Sequence, residues 1–257
     1  MNRLSRTELR QLLIDAGVTI LLEEGVRCGL GHLRLARVFE RIEHDTGRRV
    51  NPASVYERLW ATQANYQWAV LAETLERAGF VDTETISLIE RIVGHANVRT
   101  LEDREAALAE LCRVAAQRNV EEASTRPHYR VVTAAVGTLG SWDAAEPDDH
   151  DATSDVRNSL HSYLEDELRG YEAAYEWALN HLGFRWRAPY TARQFSRAIG
   201  ALVEGVATRR GFFPAYEEPI AHADDASSTP SWTLASVTVQ AIAAAMIEPD
   251  PDWRPPS

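Results

Sequence analysis

The sequence predicts an all-α protein with a small N-terminal domain and a larger helical domain, and three observations carry the prediction. Apolar residues recur at three- and four-residue spacings through almost every segment, no stretch alternates convincingly with a period of two, and glycine-bearing or polar turns punctuate the periodic runs. A chain of 257 residues has the length for a small domain beside a larger one, each with a core. An apolar content of 45% and a charged content of 25% are ordinary for a globular protein.

In chain order, Thr7 is a cap for a first helix in which Leu9, Leu12, Leu13, Ala16, Ile20 and Leu21 recur at helical spacing, ending at Gly25. The glycine-rich turn 26–31 leads to a second helix with Leu35, Ala36, Phe39 and Ile42 on one face, stopped by Asp45-Thr46-Gly47. Asn51 then caps a third helix that starts at Pro52, where the missing N–H costs nothing. A short turn at 61–62 precedes a helix over 63–78 with Tyr66, Val70, Leu71, Thr74 and Leu75 inward. Further helices are expected over 85–97, 101–119, 130–139, 154–182, 193–210 (capped by Thr191) and 231–247 (opened by Thr229-Pro230). The acidic stretches 142–151 and 213–228 are expected as loops, and the proline-rich tail 249–257 as disordered. The expected division is thus 1–62, 63–248 and the tail.

Charge separates the two parts. The formal net charge is -11, yet residues 1–60 hold ten arginines against eight acids, and the remainder carries -13. All basic residues are arginine. Two cysteines, Cys28 and Cys112, are too few for a disulfide framework and have no metal-ligand spacing. The charged start lacks an apolar signal core and no stretch is long enough to span a bilayer, so a cytoplasmic protein without membrane partners is expected.

The stretch Gly47-Arg-Arg-Val-Asn-Pro-Ala-Ser-Val-Tyr56 concentrates the functional signal. Its short helix offers Asn51, Ala53 and Ser54 on the first turn, turns Val55 and Leu59 toward the protein, and is flanked by Arg48, Arg49 and Arg58. Residues 1–75 resemble the DNA-binding domain of the TetR family of bacterial transcriptional regulators. Ala16-Gly-Val-Thr-Ile-Leu-Leu-Glu-Glu-Gly25 is similar to that family's first-helix signature, Leu35-Ala36 to the start of its helix-turn-helix, and Val50-Asn-Pro-Ala-Ser-Val-Tyr56 to its turn and recognition helix. Three departures stand out: about seven extra residues between Ala36 and Gly47, Leu59 in place of an aromatic, with Trp60 one position on, and Thr62 in place of a lysine. Seven residues are close to two helical turns, so a second helix lengthened by two turns keeps its phase; a longer turn is the alternative.

The resemblance implies a homodimer bound to a palindromic double-stranded DNA operator and released by a small-molecule effector, acting as a repressor. It implies that Tyr56 meets a phosphate, that Asn51, Ala53 and Ser54 lie nearest base edges or phosphates, that Thr62 offers a neutral hydrogen bond, and that an arm with Arg3 and Arg6 reaches a neighbouring groove. It also implies that the last two helices form a four-helix bundle with a twofold mate. The plainer alternative makes Tyr56 a packing residue and the arginines a solvated face.

Elsewhere the sequence offers no catalytic constellation. His161 and Glu165 lack a second histidine at ligand spacing, Gly29-Leu-Gly31 lacks a preceding strand, and no nucleophile elbow or phosphate loop occurs, so neither an enzyme, a metal nor a cofactor is expected. An aromatic group, Trp142, Tyr163, Tyr171, Tyr175 and Trp177, lies near Glu165, Glu172 and Glu176 and is the candidate effector site, with a preference for a cation. The alternative is that these rings fill core or a dimer seam. The second functional reading is an all-helical small-molecule-binding protein or enzyme that keeps the fold without binding DNA.

Overall fold

The computed structural model describes residues 4–26, 29–78, 83–139, 150–216, 218–220 and 232–255. Its elements are α1 (Arg6–Glu24), α2 (Leu35–Thr46), α3 (Pro52–Arg58), α4 (Gln63–Ala78), α5 (Thr83–Gly94), α6 (Leu101–Thr125), α7 (Pro127–Leu139), α8 (His150–Leu182), β1 (Phe184–Trp186), α9 (Ala192–Arg209), a 3-10 turn (Pro214–Tyr216), α10 (Leu234–Met246) and β2 (Ile247–Pro249). The expected all-α class holds. The exception is an antiparallel pair of three-residue strands, β1 and β2, with Phe184 opposite Pro249 and Trp186 opposite Ile247.

The chain divides into two compact units, one of residues 1–79 with 126–164, the other of 80–125 with 165–257. Within unit one, α4 is tied to α1. The Tyr66 hydroxyl donates to the Leu13 carbonyl of α1 at 2.8 Å, both fully buried, and α7 packs on α1 and α4. Gly17 makes that approach possible: a Cβ there would overlap the Tyr66 hydroxyl and come within 2.6 Å of Val70 Cγ2.

Unit one is built on a core of Leu13, Ile14, Leu21, Leu33, Leu35, Val38, Ile42, Val55, Tyr66 and Val70, each at most 2% exposed. Burying each such side chain contributes roughly 1.5–3 kcal/mol. The cap of α1 is Ser5 rather than Thr7: Ser5 accepts from the Glu8 amide at 3.2 Å while Glu8 accepts from the Ser5 amide at 2.8 Å, a reciprocal box. In α2 the buried face is Leu35, Val38 and Ile42, with Phe39 partly buried, whereas Ala36 is exposed. α2 runs unbroken to Thr46 and ends on Gly47 in the left-handed conformation (φ 66°), so the extra residues lengthen the helix. All five residues expected inward on α4 are buried.

In unit two α6 is the central helix, with α5, α9 and α10 packed on it. Thr191 caps α9 as expected. α10 begins later than expected, capped by Thr233 with Ser236 at its third position; Thr229-Pro230 lies outside the described residues, as do residues 140–149 and most of 213–228. α7 and α8 begin earlier than expected, at Pro127 and His150. The tail departs from the expectation of disorder. After β2, the Trp253 indole donates to the Asn180 carbonyl at 2.8 Å and stacks on the Arg104 guanidinium, 4.6 Å from its ring centroid. Arg104 in turn donates to the carbonyls of Leu182 (3.3 Å) and Gly183 (3.1 Å). An aromatic ring and carbonyls at a helix C-terminus are the two partners a guanidinium seeks, and together they fix a segment whose proline content alone argued for disorder.

Candidate functional site

Two places gather the candidate residues, one in each unit. In unit one, the turn between α2 and α3 is Gly47 to Asn51. Thr46 Oγ donates to the Ile42 carbonyl at 2.7 Å and accepts from the Arg48 amide at 3.2 Å, which holds the turn. Asn51 Oδ1 accepts from the Ala53 amide at 3.0 Å, the cap expected from Asn-Pro. Val55, fully buried, anchors the helix, so that Ala53 and Tyr56 face solvent and Ser54 is half-buried. Tyr56 is 44% exposed. Trp60 is buried with its ring edge-on to Tyr66 at 5.0 Å, so the displaced aromatic locks α3 to α4.

The basic residues differ in their company. Arg49 pairs with Glu43 at 2.6 Å, Arg41 with Glu23 and Asp45, and Arg37 with Glu24. Arg41 holds the Glu23 carboxyl below the ordinary range. Arg49 is 84% exposed at its side chain, and an exposed pair of this kind holds only weakly. Arg6, Arg48 and Arg58 have no ion-pair partner among the described residues; Arg48 stands near enough to Glu8 to help lower its carboxyl, after the Ser5 hydrogen bonds. Thr62 is a cap: its hydroxyl accepts from the Asn65 amide at 3.1 Å and donates to Asn65 Oδ1 at 2.6 Å. In the single chain that proton is engaged by Asn65. Arg3 lies outside the described residues.

The aromatic group does not assemble as expected. Tyr163 packs on the core of unit one, Trp177 is 41% exposed against His181, and Trp142 lies outside the described residues. Tyr171 and Tyr175 do meet, stacked at 5.8 Å, and Tyr175 sits edge-on to Phe195 at 5.1 Å. Of the three carboxylates expected to attract a cation, Glu165 and Glu172 face Arg193. What Tyr175 lines is an apolar cavity in unit two, with Leu111, Cys112, Trp186, Phe195 and Asn119 among its walls. The sequence carried one signal for it: Leu108, Leu111, Cys112, Ala115, Ala116 and Asn119 share one phase of α6, so a lone amide stands on an apolar stripe. Burial pushes the Cys112 thiol up to about 12, which keeps it protonated.

A third surface concerns α9 and α10, which pack on each other. The inward side of α10 is Ala235, Ser236, Val239, Ala243 and Met246. The expected stripe lies on the other side: Leu234, Ala241 and Ala245 are exposed and Val237 and Ile242 half-buried, an apolar face uncovered in the single chain. Among the described residues no group of three His, Cys, Asp or Glu side chains could hold a metal, and no helix is long and apolar enough to cross a membrane.

No family model and no curated protein matches the chain. Among solved structures, a TetR-family transcriptional regulator from Agrobacterium tumefaciens shares 11% identity over 81% of this chain and 90% of its own, with a TM-score of 0.46. The reduced form of NemR from E. coli shares 13% over 93% and 98%, with a TM-score of 0.47. The MbdR regulator from Azoarcus sp. CIB shares 12% over 93% and 96%, with a TM-score of 0.41. Likeness at this level assigns no role, and the functional reading rests on the chain's own residues.

Proposed function

We propose that the protein is a dimeric, ligand-responsive transcriptional regulator of the TetR type, acting as a repressor at a palindromic operator. The observation that carries this reading is the α2–turn–α3 arrangement: a capped seven-residue helix, pinned by Val55 and Trp60, that presents Ala53, Tyr56 and the Asn51 end to solvent beside Arg48, Arg49 and Arg58. A short helix held this way fits the major groove. In this reading Tyr56 and the arginines contact phosphates, with Arg3 and Arg6 on a neighbouring groove, while Asn51, Ala53 and Ser54 lie nearest the bases. Thr62 serves as the α4 cap. The uncovered face of α10, with α9 beside it, supplies the dimer, whose two copies of α3 must meet grooves about 34–36 Å apart. A small molecule bound in unit two that alters this spacing releases the operator.

The test is binding of the purified protein to the DNA upstream of its own gene and to genomic fragments. Affinity should fall steeply with salt, Arg48→Ala should lower the salt slope by about 1, and Tyr56→Phe should weaken binding about equally across sequences. Absence of binding at low salt overturns the proposal. The second reading, a helical small-molecule-binding protein or enzyme that no longer grips DNA, is favoured by one observation. Arg37, Arg41 and Arg49 are already engaged by acids of the same unit.

A further inference from the structure

The cavity of unit two has one side-chain amide in a mostly apolar wall, that of Asn119. Asn119 is 7% exposed. Its Oδ1 accepts from the Thr85 hydroxyl at 3.0 Å and from the Tyr171 hydroxyl at 3.3 Å. Two donors converging on one atom fix which way the amide points. The amide nitrogen, with two N–H groups, meets no acceptor among the described residues. An N–H that borders a cavity without an acceptor is a group that a bound molecule can satisfy. No carboxylate or guanidinium lines the cavity, so a charged ligand would lose its hydration with nothing in return. The enclosed space has room for roughly two waters. The occupant is therefore compact.

We infer that unit two binds a small, uncharged ligand with an apolar body and one carbonyl-type oxygen, and that Asn119 reads this oxygen through its amide N–H. The inference rests on the reading of this unit as the effector-binding half of a regulator, and it gives that effector a chemistry. Tyr175, Phe195 and Trp186 enclose the apolar body, and the Thr85 and Tyr171 hydroxyls act as positioning groups that turn the amide nitrogen toward it. This replaces the cationic ligand expected from the aromatic and acidic residues of α8.

Three probes of one shape and of a size close to the cavity separate the possibilities: acetone, isobutene, in which the oxygen is exchanged for a methylene group, and isopropylamine as its ammonium ion. Binding is followed on the full chain without DNA, by the methyl NMR signals of Ile199 and Ile247, which line the cavity. Acetone should bind about 5- to 10-fold more tightly than isobutene, as one hydrogen bond of about 1 kcal/mol requires, and the ammonium ion should not bind. Ala115→Phe, which fills the cavity, should abolish binding of both neutral probes, and Asn119→Leu should abolish only the preference for the ketone. Equal affinity for the two neutral probes, tighter binding of the ammonium ion, or ketone binding undiminished by Ala115→Phe overturns the inference, and the first two comparisons need no variant to fold. DNA binding is measured on a separate sample. Ketone binding without DNA binding removes the regulator alone, and DNA binding without ketone preference removes this ligand chemistry alone.

Discussion

Gly17 and Tyr66 show how much of unit one depends on single atoms. The missing side chain of Gly17 lets the Tyr66 hydroxyl reach a carbonyl of α1, and burial holds that hydroxyl protonated well above its usual range. Gly17→Ala should therefore cost about 1–3 kcal/mol by overpacking, seen as a lower denaturation midpoint with an unchanged slope. Cys112 gives a prediction of opposite visibility. Its thiol titrates near 9 when solvated and about 12 when folded, so the unfolded chain loses its proton first. Stability should be unaffected below pH 9 and should fall as the pH rises from 9 toward 12, a loss that Cys112→Ala reduces. Alkylation of Cys112 at pH 8 should be slow in the native protein and fast in denaturant. At this scale the sequence was readable where one residue has one use, as with Asn51 and Pro52. It misled where neighbours compete: Thr7 stands closer to the first apolar residue, but only Ser5 has a glutamate three positions on to complete the box.

At the scale of elements, the caps decide the helix starts. Ser5→Ala should cost about 1 kcal/mol, read by thermal or chemical denaturation. Hydrogen bonds from Ser5, with Arg48 adding, hold the Glu8 carboxyl below its ordinary range, so its contribution is present near neutral pH and is lost as the pH falls through that lowered value. The acid limb of the stability profile should accordingly flatten in Glu8→Gln. Helices were legible because α2, α4 and α9 repeat their apolar spacing over three or more turns. Strands β1 and β2 were not, because three residues are too few for an alternation to register, and their pairing is settled by Trp186 and Ile247 meeting across the sheet. The cavity was half legible. Tyr171 and Tyr175 were found by their chemistry, whereas Asn119 was passed over at the expected end of its helix, since α6 continues six residues further.

Charge is divided along the whole molecule. Acids dominate the residues after 60, so under the proposed function DNA contact would come from the first sixty, and a dimer would double the positive surface offered. If α9 and α10 supply the dimer, Ala241→Arg should convert it to a monomer in sedimentation measurements and weaken operator binding while leaving the fold intact by circular dichroism. The division into units could not be read from helix periodicity, because it depends on which helices share a core, and α7 returns to α1 and α4 from more than fifty residues away.

The β1–β2 pair also bears on how the protein is made. Arg185 meets Glu248 across 63 residues of chain, and Trp253 closes on Asn180 across 73. During synthesis, the end of α8 emerges long before the segment that clamps it. Ile247 is at once a strand residue and part of the cavity wall, so the cavity cannot close until the clamp has arrived. In the interval Phe184 and Trp186 lack their native cover, and apolar surface exposed in this way is what makes a partly made chain prone to aggregate.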